Sequence, residues 1–118
     1  MQYVLLVYQN EAAAKSATEE EMAQSLSRFE AFHEQAMASG QMLDGTRLRH
    51  SDTATTVTVE KGKTLTTDGP YAETKEQLGG FYLVECADLD EAIKLAARVP
   101  SADGGHIEIR PVFTGPAE

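Results

Sequence analysis

The chain has 118 residues, a hydrophobic fraction of 42%, a charged fraction of 25% and a formal charge of -9 from 19 acidic and 10 basic residues. These values fit one globular domain without long disordered segments. They oppose nucleic-acid binding, because a polyanion is repelled and no basic stripe is present to meet phosphates.

The first eight residues, MQYVLLVY, are apolar but lack a basic start and are far too few to span a bilayer. They predict a strand over residues 2–8, with no membrane segment. The lone Cys86 cannot form an intramolecular disulfide, which fits a reducing cytoplasm. Residues 11–17 and 115–118 read as loose. From residue 18 to 40, Met22, Leu26, Phe29, Ala36 and Met37 recur at helical spacing, Thr18 and Glu21 stand at the separation of a capping box, and Gly40 closes the segment.

Strands are predicted over residues 41–48, 55–59, 63–67, 80–86 and 106–112, the middle pair joined by a turn at Gly62. A second helix is expected from Asp88, with Leu89, Ala92, Ile93 and Ala96 on its buried stripe and Pro100 preventing continuation. The order β, α, β, inserted hairpin, β, α, β predicts an α+β fold: a ferredoxin-like pair of βαβ halves with both helices on one face of an antiparallel sheet. Tyr3, Leu5 and Val7 alternate with Val4, Leu6 and Tyr8, so the first strand is apolar on both sides. Helices cover one side, and a second sheet is needed for the other, which predicts a homodimer. On the last strand Ile107 and Ile109 share one side, and His106, Glu108 and Arg110 share the other.

The densest chemistry lies in residues 68–83, DGPYAETKEQLGGFYL. Asp68, Gly69 and Pro70 make a turn. Glu73, Lys75 and Glu76 then place one ammonium among carboxylates, an arrangement suited to holding a polar group if partly buried. A solvated loop with ion pairs worth about 0–1 kcal/mol is the alternative. Gly79 and Gly80 permit either a bulge or close approach of another backbone, or mark a plain turn. No glycine motif supports a nucleotide phosphate, and no cofactor is expected. His33, His50, His106 and Cys86 are solitary in sequence, so no metal site is expected.

This segment resembles the signature of the DGPF family, part of the YCII-related proteins, with Tyr71 where the family name records phenylalanine. The likeness extends in element order from MQYVLLVY to IEIRPV. It implies a dimeric α+β barrel in a small bacterial cytoplasmic protein, often encoded near extracytoplasmic-function sigma factors. It also implies a cleft with a histidine on the first helix and an aspartate on the following strand. Asp44 stands near the aspartate position, whereas Phe29 occupies the histidine position and His33 lies one turn further on.

The expected function is therefore binding of a small polar or anionic molecule near the loop, with Asp68, Tyr71, Glu73, Lys75, Glu76 and Arg110 as candidate ligand-binding residues. Asp44 and His33 are candidates for acid–base chemistry. The alternative is a non-catalytic regulatory module that docks on a sigma-factor-type partner.

Overall fold

The computed structural model describes residues 1–115, and residues 116–118 of the tail expected to be loose over 115–118 lie outside them. The elements are β1 (Gln2–Gln9), α1 (Glu11–Lys15), α2 (Glu19–Ala38), β2 (Met42–Arg47), β3 (Thr55–Glu60), β4 (Lys63–Asp68), β5 (Gln77–Glu85), α3 (Leu89–Ala97) and β6 (His106–Pro111). This is a mixed α+β architecture with two antiparallel sheets. The larger runs β2-β5-β1-β6, and β3 pairs with β4 in a separate hairpin. Every neighbouring pair is antiparallel. Hence β1 and β2 run the same way on either side of β5, and β5 and β6 do so on either side of β1.

Direct antiparallel partners share a face, so the registers separate the two sides of the sheet. Tyr3, Leu5 and Val7 of β1 lie level with Val84, Tyr82 and Gly80 of β5, and Leu5 and Val7 with Ile109 and Ile107 of β6. This face carries the core: Phe32 and Ala36 of α2 and Ala92, Leu95 and Ala96 of α3 bury against it, with Val99 just beyond. The opposite face presents Val4, Leu6, Tyr8, Phe81 and Leu83, all half-buried. The molecule measures 47 × 47 × 20 Å, and its thin dimension accommodates two layers.

Local chemistry sets the helix starts. Thr18 Oγ1 accepts from the Glu21 amide while the Glu21 carboxylate accepts from the Thr18 amide, each at 3.1 Å, completing the expected capping box. Asp88 caps α3 through the Glu91 amide at 2.9 Å. The buried stripes differ from expectation. Met22 and Leu26 are exposed, so the first half of α2 extends past what the sheet covers, and Met37 is exposed in its last turn. In α3 the stripe is Ala92, Leu95 and Ala96, running on to Val99, with Leu89 and Ile93 half exposed. The helix axis is rotated so that the i, i+3, i+4 and i+7 positions from Ala92 face the sheet.

Residues 11–15, expected to be loose, form α1, capped by Asn10. Its first residue, Glu11, is buried at 8% exposure. The β3–β4 hairpin turns through Lys61 and Gly62, both at positive φ, and leaves Val57, Val59 and Leu65 exposed.

Candidate functional site

Polar groups from several elements meet at one end of the large sheet, where β1 and β2 finish and β5 and β6 begin. The entry of β5 is irregular there. Val7 pairs with Gly80 but Tyr8 pairs with Leu78, leaving Gly79 as the extra residue of a bulge. A Cβ on Gly79 would lie 2.9 Å from Gln9 Nε2, and one on Gly80 would lie 2.6 Å from the Thr46 carbonyl oxygen. The glycine pair thus serves both a bulge and a close backbone approach.

A chain of hydrogen bonds ties the root of the loop to this end. Gln77 Nε2 donates to the Thr74 carbonyl at 2.7 Å, and Gln77 Oε1 accepts from the Glu11 amide at 3.1 Å. The two Glu11 carboxylate oxygens accept from the Ser51 amide and the Ser51 hydroxyl, each at 2.7 Å. Glu76 lies 2.8 Å from His106 Nδ1 and joins the loop to β6. Beside these bonds opens a cleft of about 330 Å³ lined by Gln9, Glu11, Arg47, Leu48, Arg49, His50 and Gly79. A larger groove of about 600 Å³ lies along α3 at the far end of the sheet. Two of its three acids are engaged structurally: Asp88 caps the helix, and Glu91 accepts from the Ala87 amide.

Arg47 is exposed at the end of β2, on the helix-side face of the sheet. It lies level with Gly80, on the same side as Tyr82. Burial pushes the Tyr82 phenol above its ordinary value, and the Arg47 charge opposes that shift in part. The Tyr82 hydroxyl lies 2.8 Å from His33 Nε2, and the His33 ring is flanked by Phe29 and Phe32 at centroid distances of 6.4 and 6.0 Å.

The candidates read from sequence are dispersed. His33 meets Tyr82 on the helix side. Asp44 lies level with Leu83 on the other side, is exposed, and accepts from the Gly45 amide at 2.8 Å. Arg110 shares that outer face but pairs with Glu108 at 2.7 Å, and this partner raises its pKa. Asp44, Leu83, Val4 and Arg110 form one row across four strands, which separates the end members by three strand spacings, roughly 14 Å.

Asp68, Glu73 and Lys75 are exposed, and Tyr71 is 92% exposed. Among the described residues Lys75 has no carboxylate partner within 4.0 Å, so the expected cluster of one ammonium among carboxylates does not assemble. The loop turn is held by the Gly69 amide on the Ala54 carbonyl at 2.7 Å and Thr56 Oγ1 on the Gly69 carbonyl at 2.8 Å. Among the described residues no group of three or more His, Cys, Asp or Glu side chains is arranged for a metal. No helix there is long and apolar enough to cross a membrane. The sequence reading passed over Gln9, Glu11, Arg47 and Arg49. The available sign was Arg47-Leu48-Arg49-His50, which concentrates positive side chains within four residues of an acidic chain.

The chain belongs to the YCII-related family: residues 1–115 match the YCII-related domain. It is 36% identical over 114 residues to an uncharacterized protein of Rhizobium meliloti (strain 1021), an alignment covering 95% of this chain and 92% of that protein.

Proposed function

We propose that this member of the YCII-related family is a cytoplasmic homodimer that binds a small polar or anionic molecule at the loop end of its sheet. In this reading the fold is ferredoxin-like, with the strand order β2-β5-β1-β6 and the helices on one face in support. A second copy lies against the other face and completes a barrel. The observation that carries the binding site is the convergence of β1, β2, the β5 bulge and the Glu11–Ser51 bonds on one cleft. Such a cleft, at the end of the sheet where Glu76 also meets His106, is a place for a ligand to be held by preset polar groups. In this reading His33 moves a proton, and its hydrogen bond to Tyr82 supports that role. Asp44 acts separately, because the sheet stands between them.

Native mass spectrometry of freshly purified protein tests both parts together. The expected spectrum is a dimer carrying a retained small mass. A dimer of bare chains at every desolvation setting overturns the ligand, and a bare monomer overturns both. A second reading, docking of a sigma-factor-type protein, draws on the exposed Val57, Val59, Leu65 and Tyr71. Removal of Val59 and Tyr71 side chains would then abolish a co-purifying protein and leave the small mass unaffected.

A further inference from the structure

We propose that the cleft at the Gly79 bulge seats a small organic dianion, held by Arg47, Arg49 and the side-chain amide of Gln9. This deepens the ligand-binding reading above and rests on it.

Two guanidinium groups line the cleft, and among the described residues neither has a carboxylate within 4.0 Å. In a chain with 19 acidic residues, partners for both were plentiful. Arginine presents a planar fork of donors that matches the paired oxygens of a carboxylate or phosphate. The Gln9 amide is turned to add to it. Its Oε1 accepts from Ser101 Oγ at 3.2 Å, which leaves Nε2 beside the bare Gly79 backbone. That Nε2 has no acceptor among the described residues.

Glu11, the one carboxylate of the lining, is already engaged. Both of its oxygens accept from Ser51, so it braces the segment that follows Arg49. The lining sums to one positive charge, but both oxygens of its carboxylate are committed to Ser51 while each guanidinium keeps its donor fork for a ligand, which suits an anionic group at each of two places. The formal charge of -9 is spread over the whole chain, and Asp52, the next acid after Arg49, is paired with Lys15 at 3.6 Å. At about 330 Å³ the cleft falls in the range of small-molecule sites and has room for an organic body beyond the anionic group. The common chemistry is a pair of negative charges on several acceptor oxygens, as borne by a phosphate monoester or a dicarboxylate.

Isothermal titration of the full chain with glycerol 3-phosphate, inorganic phosphate and succinate tests the assignment and distinguishes the two sources. Binding by at least one probe is expected, weakening as salt is added. Arg47→Gln and Arg49→Gln are each expected to weaken it about ten- to hundred-fold with unchanged circular dichroism, the loss of a charge-assisted hydrogen bond. Lys94→Ala, at the far end of the sheet, should leave it unchanged. Binding that survives both arginine substitutions overturns the assignment, and if Glu76→Gln then abolishes it, the wider reading of a ligand at the loop end stands. Absence of binding by every probe also overturns it. In that case a retained small mass in the native spectrum keeps the wider reading, and its absence removes both.

Discussion

The Nε2 atom of His33 lies 2.8 Å from the hydroxyl of Tyr82, so the middle of α2 is hydrogen-bonded to a central strand of the sheet. The geometry depends on a third residue. Gly45, level with Tyr82 on β2, leaves space for the ring: a Cβ there would stand 2.5 Å from Tyr82 Cδ1. Tyr82→Phe should cost about 0.5–1.5 kcal/mol, the usual net worth of one hydrogen bond. Gly45→Ala should cost about 1–3 kcal/mol by overpacking the ring. Urea denaturation of both variants checks this. Equal stabilities of Gly45→Ala and the parent would show that the ring moves aside freely.

Glu11 holds Ser51 across 40 residues of sequence through two bonds of 2.7 Å. Glu11→Ala removes the acceptor of a part-buried amide, and a hydrogen bond to a charged group is worth about 1.5–3 kcal/mol. The expected outcome is a loss of that size, together with faster hydrogen exchange at the Ser51 amide. Unchanged exchange there would mean that the segment is held by other contacts.

The helix caps at Thr18 and Asp88 were readable from sequence because a cap depends on a partner three residues away. So were the strands, whose alternation records two faces. Met22 and Leu26 misled, since periodicity tells which residues share a stripe but not how far along the helix the sheet extends. Glu11 was unreadable for the opposite reason: its partners Ser51 and Gln77 are distant in sequence, and a polar helical turn outside the core has no local mark of burial. The charge cluster around Lys75 failed because proximity in sequence along an extended loop does not make side chains converge.

Alkaline pH should weaken the fold. Burial pushes both the Cys86 thiol and the Tyr82 phenol above their ordinary values of 9.0 and 10.0, and the nearby Glu91 carboxylate raises Cys86 further. The folded protein therefore keeps these protons at pH values where the unfolded chain releases them. Their contribution is complete below about pH 9, and stability falls as pH rises through the ordinary and then the raised values. Denaturation midpoints measured from pH 7 to 11 should decline, and a Cys86→Ala, Tyr82→Phe variant should show a shallower decline. A parallel decline in parent and variant would assign the effect to other groups.

The outer face of the sheet has the layout of an interface. Across its middle row run Thr46, Phe81, Leu6 and Glu108, two apolar residues between polar ones at the sheet edges. Val4, Leu83 and Tyr8 extend the apolar centre, whereas Asp44, Arg110 and His106 continue the polar margin. An apolar core inside a polar rim is the usual anatomy of a specific protein surface, and a stable interface needs about 800 Å² from each partner. Leu6 sits at the centre. Leu6→Glu would place a charge opposite its own copy or near it, with no partner, while leaving the helix-side core intact. The expected result by sedimentation at micromolar concentration is a parent species of twice the 12.8 kDa chain mass and a Leu6→Glu species of the single mass with retained circular dichroism. Glu108→Gln, at the margin, should stay dimeric, because rim charges contribute little to affinity. A parent that sediments as a monomer would refute the homodimer, and a Leu6→Glu variant that stays dimeric would move the contact to another surface, with the exposed β3–β4 hairpin next to be tested.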